Sequence, residues 1–121
     1  MANVFRFEIC ADDLEGAARF YSEVFGWRIE KDESSDYWSI ATDNQGAAGI
    51  GGGLVSRFDE WNPTIITFQI PSVDTFAKKI TEAGGMVLAP KMPIARTGYV
   101  QYCQDPEGNT FGIIELDESA E

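Results

Sequence analysis

Apolar and polar residues alternate from Val4 to Cys10, with Phe5, Phe7 and Ile9 on one side and Arg6 and Glu8 on the other. A period of two predicts a half-buried strand. The period then changes. Leu14, Ala17, Ala18, Tyr21, Val24 and Phe25 recur at helical spacing behind Asp12-Asp13, which offers a cap, and Gly26 stops the run. Three strands are predicted next, over Trp27–Glu30, Tyr37–Thr42 and the glycine-rich Ala47–Val55, with turns at Asp32–Asp36 and Asp43–Gly46. Glycine is poor in strands unless a backbone or ligand comes close or a bulge is needed.

The pattern restarts after a connector at Arg57–Pro63 that contains Trp61. Thr64–Ile70 reads as a strand with Ile66, Phe68 and Ile70 on one face and Ile65, Thr67 and Gln69 on the other. Ser72 or Asp74 caps a helix carrying Val73, Phe76, Ala77, Ile80 and Ala83, and Gly84-Gly85 ends it. Met86–Pro90 is a strand, Lys91–Gly98 a loop, and Tyr99–Cys103 a strand that turns at Asp105-Pro106-Glu107-Gly108 into Thr110–Leu116. At an offset of 59 the halves match: Ile9 meets Phe68, Leu14 meets Val73, Gly26 meets Gly85 and Gly53 meets Gly112. Each half reads β-α-β-β-β, over residues 3–56 and 64–117. Neither buries both a helix face and a sheet face alone, so the two are expected to pair as one domain spanning 1–121. The expected class is α+β: an open, cup-shaped sheet with helices on its convex face. Phe5, Phe7, Ile9, Ile66, Phe68 and Ile70 are expected to meet the helices, and the opposite faces to line the cup.

Composition narrows the function. A net charge of −11, from 9 basic and 20 acidic residues, argues against nucleic acid and anionic membranes as partners. The acids at Asp117–Glu121 read as a frayed tail. No apolar run approaches the ~20 residues of a membrane span, and no secretion signal is apparent, so a cytoplasmic location is expected. Cys10 and Cys103 lie in strand-like runs and read as buried thiols. Histidine is absent, which removes imidazole from any metal site or catalytic triad.

Paired βαβββ modules carrying Ala11-Asp12-Asp13-Leu14, Phe20-Tyr21-Ser22-Glu23-Val24-Phe25-Gly26-Trp27 and Asp105-Pro106-Glu107-Gly108-Asn109 resemble the vicinal oxygen chelate superfamily, the group of glyoxalase I, bleomycin-resistance proteins and extradiol dioxygenases. These motifs serve helix packing and turn-making. The resemblance implies metal ligands on the first and last strands of each module, which here are Arg6, Ile65, Gly53 (or Gly52, if the glycine run slips by one) and Gly112. A guanidinium repels a cation, and an alkyl group and two glycines donate nothing. No metal and no other cofactor is therefore expected.

Three functions of different class remain open. One is a metal-free small-molecule binder, with Arg6, Glu8, Trp38, Gly53, Ile65, Thr67, Tyr99, Tyr102 and Gly112 around the ligand; the acidic surface resembles that of drug-sequestering members of the group. The second is a metal-independent lyase or isomerase with Glu8 as base and Arg6 stabilising negative charge, with a metal-dependent lyase or dioxygenase with a non-standard site as a separate alternative. The third is an assembly protein whose cup is filled by its own side chains. Arg6 and Glu8 also fit a partly exposed side-by-side ion pair, and Trp38, Tyr99 and Tyr102 also fit simple core or interface packing, the plainer reading in each case. Glu115 is expected to point away from Gly112. Homodimers are common in the group, and Trp27, Trp61 and the strand aromatics supply apolar material for one.

Overall fold

The computed structural model describes residues 2–33, 37–43, 49–56 and 64–121. The connector 57–63 with Trp61, and most of the two turns at 32–36 and 43–46, lie outside the described residues. The chain divides into two compact units, Arg6–Ile65 and Ile66–Glu121, the second taking the first five residues as well. Each contains one helix on strands, and the class is α+β.

In the first unit, strand β1 (Asn3–Ala11, of which the first three residues belong to the other unit) leads into helix α1 (Leu14–Phe25). Strands β2 (Arg28–Lys31), β3 (Trp38–Ala41) and β4 (Gly52–Ser56) follow, paired in the order β2-β3-β4-β1. Asp13 is the N-cap of α1 and accepts from the Gly16 N–H, which removes one of the donors a helix start leaves unmet. Gly26 closes the helix at φ 72°, a left-handed conformation that glycine adopts without strain. Ala18, Ile40 and Leu54 are buried, and Phe7, Ile9, Leu14, Ala17, Trp27 and Trp38 pack against them.

The second unit repeats the design. It contains β5 (Thr64–Gln69, of which the first two residues belong to the first unit), α2 (Val73–Glu82), β6 (Met86–Val87), β7 (Met92–Ile94), β8 (Gly98–Gln104) and β9 (Thr110–Leu116). The pairing order β6-β8-β9-β5 mirrors that of the first unit. Ser72, not Asp74, is the cap, and accepts from the Thr75 N–H. Ile70, Val73, Cys103 and Ile113 form the core, with Phe76, Ile80, Tyr99 and Phe111 against it. Full burial of such an aliphatic side chain contributes about 1.5–3 kcal/mol. The repeat extends to register. β1 and β4 run parallel with Phe7 opposite Gly52 and Glu8 opposite Gly53; β5 and β9 run parallel with Ile66 opposite Phe111 and Thr67 opposite Gly112. Every partner is shifted by the same 59 residues.

Several expectations need correction. The glycine-rich strand begins at Gly52 rather than Ala47, and β6 is two residues rather than five. The stretch read as a loop before β8 contains β7, paired antiparallel to β8 with Pro93 opposite Tyr99. Ile66 is 44% exposed and stays outside the core. The C-terminal acids are not a frayed tail. Ala120 is buried and accepts from the Arg96 N–H, and Asp117 accepts from both the backbone N–H and the hydroxyl of Ser119. A small apolar residue and an Asx turn fasten an end that composition alone marks as solvated. No described helix is long and apolar enough to cross a membrane.

Candidate functional site

Strand parity decides which side chains share a face. Phe7, Ile9, Leu54, Ile40 and Trp38 turn toward α1, and Arg6, Glu8, Ser39 and Gly53 take the other face. The register also resolves the glycine run. Gly52 lies opposite Phe7, and Gly53 lies opposite Glu8, on the face that carries Arg6.

Two aromatic rings explain the glycines. A Cβ at Gly52 would stand 2.6 Å from the Phe7 backbone carbonyl oxygen and 2.7 Å from Cε2 of the Phe7 ring. On the opposite face the phenol end of Tyr37 occupies the place a Gly53 Cβ would take. Gly52 and Gly53 therefore give room to neighbouring Phe7 and Tyr37 atoms, while a Cβ at Gly51 would meet only the Ile40 carbonyl oxygen, at 3.4 Å. Tyr37 in turn carries Arg6, whose guanidinium carbon stands 5.1 Å from the ring centroid in a cation–π contact. Arg6 Nε is buried and has no hydrogen-bond partner among the described residues. A buried donor left without an acceptor costs about 1–3 kcal/mol. Glu8 shares this face but is already engaged in an interaction of its own.

The second unit shows the corresponding arrangement. Gly112 lies opposite both Thr67 and Tyr102, and a Cβ there would stand 2.9 Å from Thr67 Oγ1 and 3.3 Å from the Tyr102 ring. Each unit thus sets a tyrosine against the glycine of its last strand. Ile65 and Thr67 are buried, as are Val100 and Ile114 on the Tyr102 face.

Trp38 and Tyr99 do not join this face, which corrects the expectation that both stand beside a ligand. Trp38 lies opposite Leu54 in the core against α1. Tyr99 lies opposite Glu115 and packs in the core against α2, with Lys91 Nζ 5.2 Å from its ring centroid. Tyr99 and Tyr102 are an odd number of residues apart, so one pleated strand sends them to opposite faces. Glu115 does point away from Gly112: its Oε1 accepts from the Val73 N–H at 2.9 Å. Tyr37 is the residue that sequence reasoning missed. Its parity opposite to Trp38 was the available signal.

The metal implied by the fold does not fit these residues. Arg6 is cationic, Ile65 is alkyl, and the sites of Gly53 and Gly112 are taken by Tyr37, Tyr102 and Thr67. Among the described residues no group of three or more His, Cys, Asp or Glu is placed to hold a metal ion. Cys103 is a buried thiol whose pKa is raised by desolvation, which makes it a poor nucleophile or ligand.

The sequence profile of the glyoxalase-like domain matches residues 6–114. The chain belongs to that family. A glyoxylase-like domain-containing protein of Didymella fabae is 30% identical over 112 residues, 88% of each chain. Among solved structures, a glyoxalase/bleomycin resistance protein/dioxygenase superfamily member from Vibrio splendidus 12B01 superposes with a TM-score of 0.68 at 11% identity, covering 97% of this chain and 100% of that one. Methylmalonyl-CoA epimerase from Mycobacterium tuberculosis gives a TM-score of 0.65 at 12% identity, covering 94% of this chain and 87% of its own. At these identities the two structures establish a shared fold.

Proposed function

We propose that this glyoxalase-like protein binds a small molecule without a protein-held metal, and that the ligand carries an oxyanion received by Arg6. The observation that carries this reading is the Arg6 guanidinium, set against the Tyr37 ring, its Nε buried with no acceptor among the described residues. A guanidinium pairs with carboxylate or phosphate through parallel N–H donors, and the ring below fixes its plane. The test is thermal denaturation of EDTA-treated protein against a panel of small carboxylates and phosphates. A ligand that binds the native state raises the melting temperature by mass action. The expected result is a rise that EDTA leaves unchanged and Arg6→Gln abolishes. Turnover or binding that requires an added divalent ion, and is lost on chelation, overturns the reading.

A metal-independent lyase or isomerase is the second reading, favoured by one observation: Glu8 and Arg6 lie two residues apart on one strand face. Glu8 would then act as base and Arg6 would stabilise the negative charge that develops. Turnover of a carbon acid, abolished by Glu8→Gln while ligand affinity persists, would favour catalysis over sequestration.

A further inference from the structure

The Tyr37 ring crosses a whole strand to reach Arg6. Within the first unit the strands pair in the order β3-β4-β1, so β3 and β1 are not neighbours. Two strand spacings, about 10 Å, lie between them. Arg6 is on β1. Tyr37 is the residue just before β3, and its carbonyl accepts from the Asp32 N–H at 2.8 Å. Gly53 of β4 stands between the two, opposite Ser39 of β3 and Glu8 of β1. A Cβ at position 53 would fall on the phenol end of Tyr37. The missing side chain is the gap through which a ring from one strand meets a cation two strands away.

That contact bears on binding. An unrestrained arginine side chain samples many rotamers, and an anion that captures one of them must freeze it on binding. The Tyr37 ring centroid, 5.1 Å from the Arg6 guanidinium carbon, restricts the side chain beforehand. The ring in turn passes over a residue with nothing to push it aside, from a backbone tied to Asp32. The other half of the repeat also sets a tyrosine, Tyr102, beside a glycine, Gly112. At the position matching Arg6, however, it has Ile65, which carries no charge to direct.

We infer that Tyr37 is the positioning residue of the Arg6 oxyanion site: its ring fixes the guanidinium before a ligand arrives, and Gly53 acts by admitting that ring. The inference rests on the reading of Arg6 as the oxyanion receptor, so two measurements separate them. Nuclear magnetic resonance of the isotope-labelled full chain, without ligand, reports the Arg6 Nε–H signal, assigned by its loss in Arg6→Gln. Tyr37→Leu and Gly53→Ala are each expected to move it, and Tyr37→Phe, which keeps the ring, to return it to its wild-type position. Titration with acetate and with inorganic phosphate reports affinity. Tyr37→Leu and Gly53→Ala are each expected to weaken binding about two- to tenfold, the effect of one side chain left to be ordered by the ligand. Tyr37→Phe should recover what Tyr37→Leu loses, and Tyr37→Leu/Gly53→Ala should bind no more weakly than Tyr37→Leu alone. An Arg6 signal that Tyr37→Leu leaves in place overturns the inference, and so does a further loss of affinity in the double variant. A wild type that binds neither probe, while its Arg6 signal still depends on Tyr37, overturns the oxyanion reading instead and upholds Tyr37 as the residue that directs Arg6.

Discussion

The Glu115 carboxylate on β9 accepts a hydrogen bond at 2.9 Å from the backbone N–H of Val73, the first residue of α2. These residues are 42 positions apart. The contact gives α2 two side-chain acceptors at its start, Glu115 and the Ser72 hydroxyl, where unmet donors and the positive end of the helix dipole favour negative charge. Glu115→Ala is expected to lower unfolding free energy by about 1–2 kcal/mol, the range of a lost helix cap with a charged partner. Glu115→Gln keeps an acceptor and is expected to lose about half as much. Urea denaturation of both variants measures the difference.

Gly53 and Tyr37 are expected to be coupled. A methyl at position 53 meets the phenol end of Tyr37, which also supports Arg6. Gly53→Ala should cost about 1–3 kcal/mol, as overpacking does. In a Tyr37→Ala background the same change should cost at least about 1 kcal/mol less, because the obstructing ring is gone. Equal costs in both backgrounds would show that the ring does not fill this site.

Glycines 98 and 108 separate steric from conformational demand. A Cβ at Gly98 would strike the backbone carbonyl of Glu115 on the neighbouring strand, which cannot swing aside. At Gly108 nothing lies within 4 Å, but φ is +90°. Gly98→Ala is expected to cost more than about 3 kcal/mol or to prevent folding, through forced backbone displacement. Gly108→Ala should cost about 1–2 kcal/mol, the penalty of a left-handed residue with a side chain. Expression yield and chemical denaturation compare the two.

Acid stability should depend on the β8–β9 turn. The Asn109 side chain and then its backbone N–H hold the Asp105 carboxyl below its usual value, with further donors at Glu107 and Gly108. A carboxylate whose folded pKa is depressed contributes stability that is present above the unfolded value of 3.8 and lost as pH falls through the folded value. Asp117 behaves alike through Ser119. Asp105→Asn is therefore expected to flatten the fall in melting temperature below about pH 4, relative to wild type. A variant with an unchanged acid slope would assign that slope to other groups.

Much of the fold was legible in the chain. The 59-residue repeat, the caps Asp13 and Ser72, the left-handed Gly26 and the β8–β9 turn are local chemistry or periodicity, which one strand or one helix expresses without help. The residue types at Arg6, Ile65, Gly53 and Gly112 were equally legible, and with them their poor fit to a metal ion, since that depends on residue identity. Only the tertiary structure decided what fills the glycine positions. Tyr102 stands directly opposite Gly112 in register, whereas Tyr37 reaches Gly53 from just before β3, two residues from the Ser39 that pairs with it. Trp38 and Tyr99 went to the core because parity, not aromatic character, selects the face. The C-terminal acids were misjudged for a related reason: composition describes how a segment interacts with water, whereas the burial of Ala120 depends on the Arg96 backbone that chain folding brings to it.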